Sequence, residues 1–381
     1  LAINDDFCLE GIISESICCI WNPTRGYKDV PVGLGIKKHK EINCKVCLTG
    51  QHRQMLDQVM DAFSVGADYD LNIMKDRQTL TTITTSVMEG LEPILIEEKP
   101  DVVLVHGDTT TSYAAALAAF YQQIPVGHVE PGLRTGDIYS PFPEEMNRLL
   151  TDRISTYYFA PTQMNEKNLA DEGITENVVV TGNTVIDAFK YTVKDNYEFK
   201  DNSLNSVDFT NRRIITLTAH RRVNMGEPLR NICNAVKRMA NEYPDVVFIY
   251  PVHLNPAVRD VVFGILSNID NVLLIDPVDV LDMHKLLARS YMVMTDSDGL
   301  QEEAPHFGKP VLVLRTETER PEAVEAGTVK VIGVEEDAIY QEAKMLLDEV
   351  ECYQKMAKAV NPYGDGHASE RIVQELSNIV I

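Results

Sequence analysis

Two short apolar runs, Val102–His106 and Pro125–Val129, flank an Ala-rich helical stretch, Thr109–Tyr121, and each run ends on an acidic loop. Such a strand–helix–strand alternation builds a parallel sheet, because parallel neighbours need a crossover and the helix supplies it. In these sheets ligands gather outside the carboxyl ends of the strands. Asp108 and Glu130 fall there. The chain then turns through Ser140-Pro141-Phe142-Pro143 into a helix that opens with Glu144 and Glu145, with proline expected at the first helical position. Glu144 and Arg148, spaced i, i+4, share one face of that helix. Carboxylates and a guanidinium are therefore expected to converge on one rim, which reads as an active site.

The alternation extends in both directions. Upstream, Ser16–Trp21 and Ile42–Leu48 read as strands, and 51–63 and 79–98 as helices. Gly26, Gly33 and Gly35, with Pro23 and Pro31, are expected to break any helix after the first strand. Downstream, Tyr157–Ala160, Val178–Val180 and a helix from Val185 complete a first unit, and the polar stretch 195–211 reads as a linker. A second series has strands at 214–218, 246–250, 272–275, 291–295 and 310–314, with helices at 227–241, 256–266, 279–289 and 300–306. The length of 381 residues suits two cores. We expect an α/β protein of two Rossmann-like domains facing across a cleft, 1–190 and 191–360.

A net charge of −22 argues against nucleic-acid or anionic-membrane partners, which are recognised through a basic face. The start of the sequence has acids where a signal peptide has lysine or arginine, so a cytosolic location is the expectation. Seven cysteines, an odd number with five of them before residue 48, make a disulfide framework unexpected. Cys44 and Cys47 form a C-x-x-C, but on a strand they face opposite sides, so a structural role is expected. No metal and no NAD is called for, since no G-x-G-x-x-G follows a strand.

Anion-binding candidates follow the strands of the second series. Ser297-Asp298-Gly299 opens a helix, where backbone N–H groups suit an anion, and Glu303 suits a ribose diol. Asp296-Ser297-Asp298 also admits a metal-binding D-x-D reading. His220, beside Arg221 and Arg222, and His253 each end a strand. His106 and His128 lie inside strands and are expected to satisfy buried backbone.

HGDTTT, HVE-GLRTGD, SPFPEE-NR, TGNTVIDA, TAHRR, PVHLNP, GLQEEAP, TERPE and NPYGDG together resemble the non-hydrolysing UDP-N-acetylglucosamine 2-epimerases, from about residue 42 onwards. The resemblance implies a glycosyltransferase-B-like fold, with residues 361–381 forming a helix that packs back on the first domain. It implies reversible epimerisation of UDP-N-acetylglucosamine to UDP-N-acetylmannosamine by elimination and re-addition of UDP, without a cofactor. Asp108, Glu130, Glu144 and His220 match the family's catalytic positions, and Lys28, Arg148, Ser297, Gly299 and Glu303 its substrate-binding positions. Gln51, Gln54, Arg77, Gln78, Arg221 and His253 match positions that bind a second UDP-N-acetylglucosamine as activator. A homodimer is expected. A hydrolysing relative, a UDP-sugar glycosyltransferase and a catalytically impaired UDP-sugar binder are the competing readings.

The sequence departs from the family at three places. Residues 1–41 lack the expected loop, leaving Lys28 in register and Pro23 where an arginine belongs. Pro131 follows Glu130 and would hold it extended. Asp298 replaces a glycine, and its carboxylate would repel a diphosphate and strain a backbone that glycine adopts more easily.

Overall fold

The computed structural model describes residues 16–21 (backbone), 26–38, 42–50, 66–75, 78–194 and 196–380. Among them two parallel sheets are seen. The first has seven strands, β1 (Ser16–Trp21), β2 (Asn43–Leu48), β3 (Tyr69–Asp70), β4 (Val102–His106), β5 (Val126–Val129), β6 (Tyr157–Ala160) and β7 (Val178–Val180), in the order β3-β2-β1-β4-β5-β6-β7. The second has six, β8 (Arg213–Thr218), β9 (Val246–Pro251), β10 (Val272–Ile275), β11 (Met292–Thr295), β12 (Val311–Val313) and β13 (Val329–Val331), in the order β10-β9-β8-β11-β12-β13. Each order reverses once, between β1 and β4 and between β8 and β11. Those reversals open the crevices in which α/β sheets take ligands.

Near-continuous apolar strands are what a sheet covered by helices on both faces demands, and β4 is buried at all five positions. Cys44 and Cys47 are both buried, one in the core with Val30 and Ile36, the other in the core with Val87 and Leu91 on the opposite face.

The segment after β1 overturns an expectation. Gly26–Lys38 is a helix with Pro31 inside it. Its Val30, Val32 and Ile36 share a core with Ile372, Val373 and Leu376 of the helix Ala368–Val380. Burial of that face outweighs poor intrinsic propensity. Gly35 permits the close approach, since a Cβ there would stand 3.1 Å from Val373 Cγ2.

Smaller differences have local causes. Residues 195–211 are not a bare linker: Asn202–Asn205 forms a helical turn, and Phe199 and Leu204 are buried in a core with Ile214 and Leu286. Pro143 caps its helix rather than starting it. The helix expected at 300–306 begins earlier, Asp298–Glu303, and ends in a tighter turn through Phe307. Strands β3 and β13 and the helices Gln163–Asp171, Glu336–Asp348 and Val350–Ala357 carried no expectation. The helix expected at 51–63 lies outside the described residues. No helix of the described residues is long and apolar enough to cross a membrane.

Candidate active site

Register sets the first half of the site. His106 of β4 pairs with Val129 of β5, so the loops beyond them emerge together and carry Asp108 and Glu130 to one rim. Asp108 binds Arg148, Oδ2 to Nη2 at 2.8 Å, with both side chains buried. The second partner of Arg148 is Glu145, at 3.0 Å, not Glu144. The expected i, i+4 pair is therefore replaced by an i, i+3 pair, because the helix turns Glu145 inward. Glu145 also accepts from the backbone N–H groups of Thr135 and Gly136, at 3.0 and 3.1 Å, and so holds the loop after β5. Glu144 is half-buried at the helix start and makes no ion pair among the described residues.

Glu130 takes a backbone φ of +68°, in the left-handed region, despite the proline that follows. The expectation of an extended Glu130 fails. A non-glycine residue held there costs about 1–2 kcal/mol and persists only where its surroundings dictate it. The dictating contacts are explicit. Gly132, at φ +79°, packs so closely that a Cβ would meet the Asn165 carbonyl oxygen at 2.4 Å. The Glu130 carboxylate accepts from Lys28 Nζ at 2.8 Å and from Asn183 Nδ2 at 3.2 Å.

Lys28 and Asn183 each reach a second carboxylate, Glu302, at 2.9 and 3.0 Å. Arg320 adds a third contact to Glu302 at 2.6 Å. Burial pushes the Glu302 carboxyl up, but the charges of Lys28 and Arg320 outweigh it and hold it at about 2. Burial dominates at Glu303, whose carboxyl rises to about 7 with Glu302 adding to the rise and Lys28 opposing it. Tyr27 donates to Glu303 at 3.2 Å. Lys28, expected in register, lies in the first turn of a formed helix and bridges the two sheets, while the altered loop before it, with Pro23, lies outside the described residues.

The histidines divide. His128 bonds the Gly107 carbonyl at 2.8 Å and Asp152 at 2.6 Å, as a buried structural histidine should. His106 instead pairs with Asp29 at 2.5 Å and places Nε2 3.9 Å from Glu130 Oε2. It belongs beside the acids. Asp29, His106, Glu145, Asn183, Glu302 and Arg320 are the residues that sequence reasoning missed. His106, Glu145, Asn183, Glu302 and Arg320 lie within HGDTTT, SPFPEE-NR, TGNTVIDA, GLQEEAP and TERPE, so a local signal existed for each, whereas Asp29 had none.

The second half of the site lies beyond β8 and β11. Thr218 pairs with Thr295 in register, so His220 and Ser297 emerge side by side. Asp296 accepts from the backbone N–H groups of His220 and Arg221, at 2.8 and 2.9 Å, and from Asn224 at 3.0 Å. His220 stacks on His253 with centroids 5.6 Å apart. Asp298 does not take a positive φ; it opens the helix and pairs with Arg221 and, at 2.6 Å, with Arg315. The expected backbone strain is absent at this residue, and its charge is met by two guanidinium groups. The D-x-D reading fares no better, since Asp296 and Asp298 face N–H donors and arginines, which would repel a cation.

A cavity of about 440 Å³ runs along this rim, lined by His220, His253, Ser297, Gly299 and Glu303 and by apolar side chains including Val278 and Met283. A second, of about 680 Å³, is lined by Arg134, Thr135 and Pro141 from the first half and by Arg221 and Arg315 from the second. Gln78 donates to the Ile73 carbonyl, while Gln51, Gln54 and Arg77 lie outside the described residues.

The UDP-N-acetylglucosamine 2-epimerase family model matches residues 35–377. The chain belongs to this family. The Bacillus subtilis UDP-N-acetylglucosamine 2-epimerase is 53% identical over 350 residues, 92% of this chain and 91% of that protein. The Neisseria meningitidis UDP-GlcNAc 2-epimerase, solved bound to UDP-GlcNAc, is 47% identical with a TM-score of 0.86, covering 96% of this chain and 100% of that one. The Methanocaldococcus jannaschii enzyme, solved with UDP-GlcNAc and UDP, is 31% identical with a TM-score of 0.78, covering 96% and 99%. The two-sheet α/β architecture is the glycosyltransferase-B-like fold of these epimerases.

Proposed function

We propose that this chain interconverts UDP-N-acetylglucosamine and UDP-N-acetylmannosamine. No carbonyl acidifies the C2–H bond of an N-acetylhexosamine, so direct deprotonation is slow. Breaking the C1–O bond first lets its electrons leave with the diphosphate. Positive charge then grows on the ring, a carboxylate takes the C2 proton, and C1=C2 forms to leave 2-acetamidoglucal beside UDP. Re-addition of UDP with a proton delivered to the opposite face of C2 completes the inversion. The path needs carboxylates for proton transfer and for the cationic transition state.

The observation that carries this reading is the shared rim of Asp108 and Glu130, each held by a buried cation, Arg148 and Lys28, the latter also bound to Glu302 of the second half. In it Asp108, Glu130 and Glu144 act on C2 and the ring, and His220 serves the leaving diphosphate. Lys28, Arg148, Ser297, Gly299 and Glu303 bind substrate, Glu303 at the ribose diol. Incubation with UDP-N-acetylglucosamine in D2O tests it: NMR should show deuterium entering at C2 with the UDP-sugar intact. Release of free UDP and sugar without such exchange would exclude it.

The same reading includes a homodimer working in the cytosol, and activation by a second UDP-N-acetylglucosamine at Gln51, Gln54, Arg77, Gln78, Arg221 and His253. Its units are 1–190 and 191–360, with 361–381 returning to the first. Sedimentation velocity at micromolar concentration checks the dimer.

A further inference from the structure

Asp298 stands between the two cavities. Its neighbours Ser297 and Gly299 line the smaller one, and its ion-pair partners Arg221 and Arg315 line the larger. Its carboxylate spans both guanidinium groups, Arg315 at 2.6 Å, with Gln301 Nε2 at 3.3 Å from the same oxygen as Arg315. The Arg315 side chain is 10% exposed and that of Asp298 18%, so this pair is largely withdrawn from water, where screening is weak, while Arg221, 32% exposed, holds the more open side. Two convergent arginines are the usual recognition element for a phosphate group, which they bind through paired N–H donors. Here they already hold an anion supplied by the chain.

We propose that Asp298 is a built-in competitor for the diphosphate of the ligand: its carboxylate occupies Arg221 and Arg315 until a nucleoside diphosphate displaces it. The inference rests on the proposed UDP-sugar reading. A ligand with its nucleoside in the smaller cavity and its sugar toward the larger must carry its diphosphate past this residue. Binding then includes the work of moving Asp298 off the arginines, which lowers apparent affinity by the fraction of molecules in which they are available. The phosphate-free part of the ligand is indifferent to the exchange.

Calorimetry of the full chain at low salt tests this with UDP and with uridine. Asp298→Asn should bind UDP roughly tenfold more tightly than wild type, with uridine unchanged. The gain should fall to less than about twofold when Asp298→Asn is made in an Arg221→Gln, Arg315→Gln background. Asp298→Ser serves as a second variant, and thermal melting confirms that each is folded. Equal or weaker UDP binding by both folded variants overturns the proposal and makes Asp298 an organiser of the arginines. A gain that persists when both arginines are replaced also overturns it, since simple repulsion would explain that result. Absence of UDP binding in every protein, wild type included, overturns the UDP-sugar reading as well.

Discussion

Carboxylates that look alike in sequence have different duties once their partners are known. Asp108 and Glu130 are buried and bound to cations, whereas Glu144 is half-buried with no ion pair among the described residues. Asp108→Asn, Glu130→Gln and Glu144→Gln should each slow deuterium incorporation at C2 by about 10²–10⁴. Their stabilities should separate. Breaking a buried pair costs about 3–5 kcal/mol, so Asp108→Asn and Glu130→Gln should unfold at lower denaturant, while Glu144→Gln melts like wild type. Undiminished exchange in any one variant removes that residue from the chemistry. Glu303 gives a pH signature. Its folded carboxyl sits at about 7, above its ordinary value of 4.5, so the fold binds this proton more tightly than the unfolded chain. The stability it adds is full below about 4.5 and is lost as pH rises through about 7. Urea denaturation between pH 5 and 8 should show that decline in wild type and a flatter profile in Glu303→Gln.

Elements were legible where burial writes a pattern. β4, β5, β8, β9 and β11 are short apolar runs bounded by loops, and the acids after β4 and β5 follow from topology alone. The helix Gly26–Lys38 was not legible, since a proline and internal glycines argue against it and its partner lies more than three hundred residues later. The Lys28–Glu302 contact, separated by 274 residues, has no local signal at all. Glu145 was missed for another reason: i+3 and i+4 neighbours share a face, and only the helix rotation chooses between them. The helix Leu80–Glu98 was read correctly through Pro93, which stays exposed while Val87, Leu91 and Leu95 are buried. Proline there removes a backbone donor and crowds the preceding turn, at about 3 kcal/mol. It returns roughly 0.4–1 kcal/mol by restricting the unfolded chain. Pro93→Ala should therefore raise stability by about 2–2.6 kcal/mol in chemical denaturation, and an unchanged midpoint would mean the helix already bends to relieve the clash.

At the scale of the molecule the two sheets are joined through charge. Lys28 from the first binds Glu302 from the second, and Asn183 repeats the bridge. Lys28→Met leaves Glu130 and Glu302 buried with less compensation and should cost about 3–5 kcal/mol. Adding Glu302→Gln removes one of the stranded charges. The double variant should therefore be more stable than the sum of the single losses by about 0.5–3 kcal/mol in a denaturation cycle. Additive losses would show that Lys28 stabilises the fold independently of Glu302.

The pairing of Gly26–Lys38 with Ala368–Val380 also bears on how the chain comes into being. Val30, Val32 and Ile36 emerge early from the ribosome, yet Ile372, Val373 and Leu376, which seal them from water, are translated only after the entire second sheet. For most of synthesis that apolar face lacks part of its native cover, and the first sheet cannot complete its core in the usual amino-to-carboxyl sequence. A nascent chain stalled before residue 368 holds both halves of the candidate site in covalent form and still lacks the helix that packs on Val30 and Ile36.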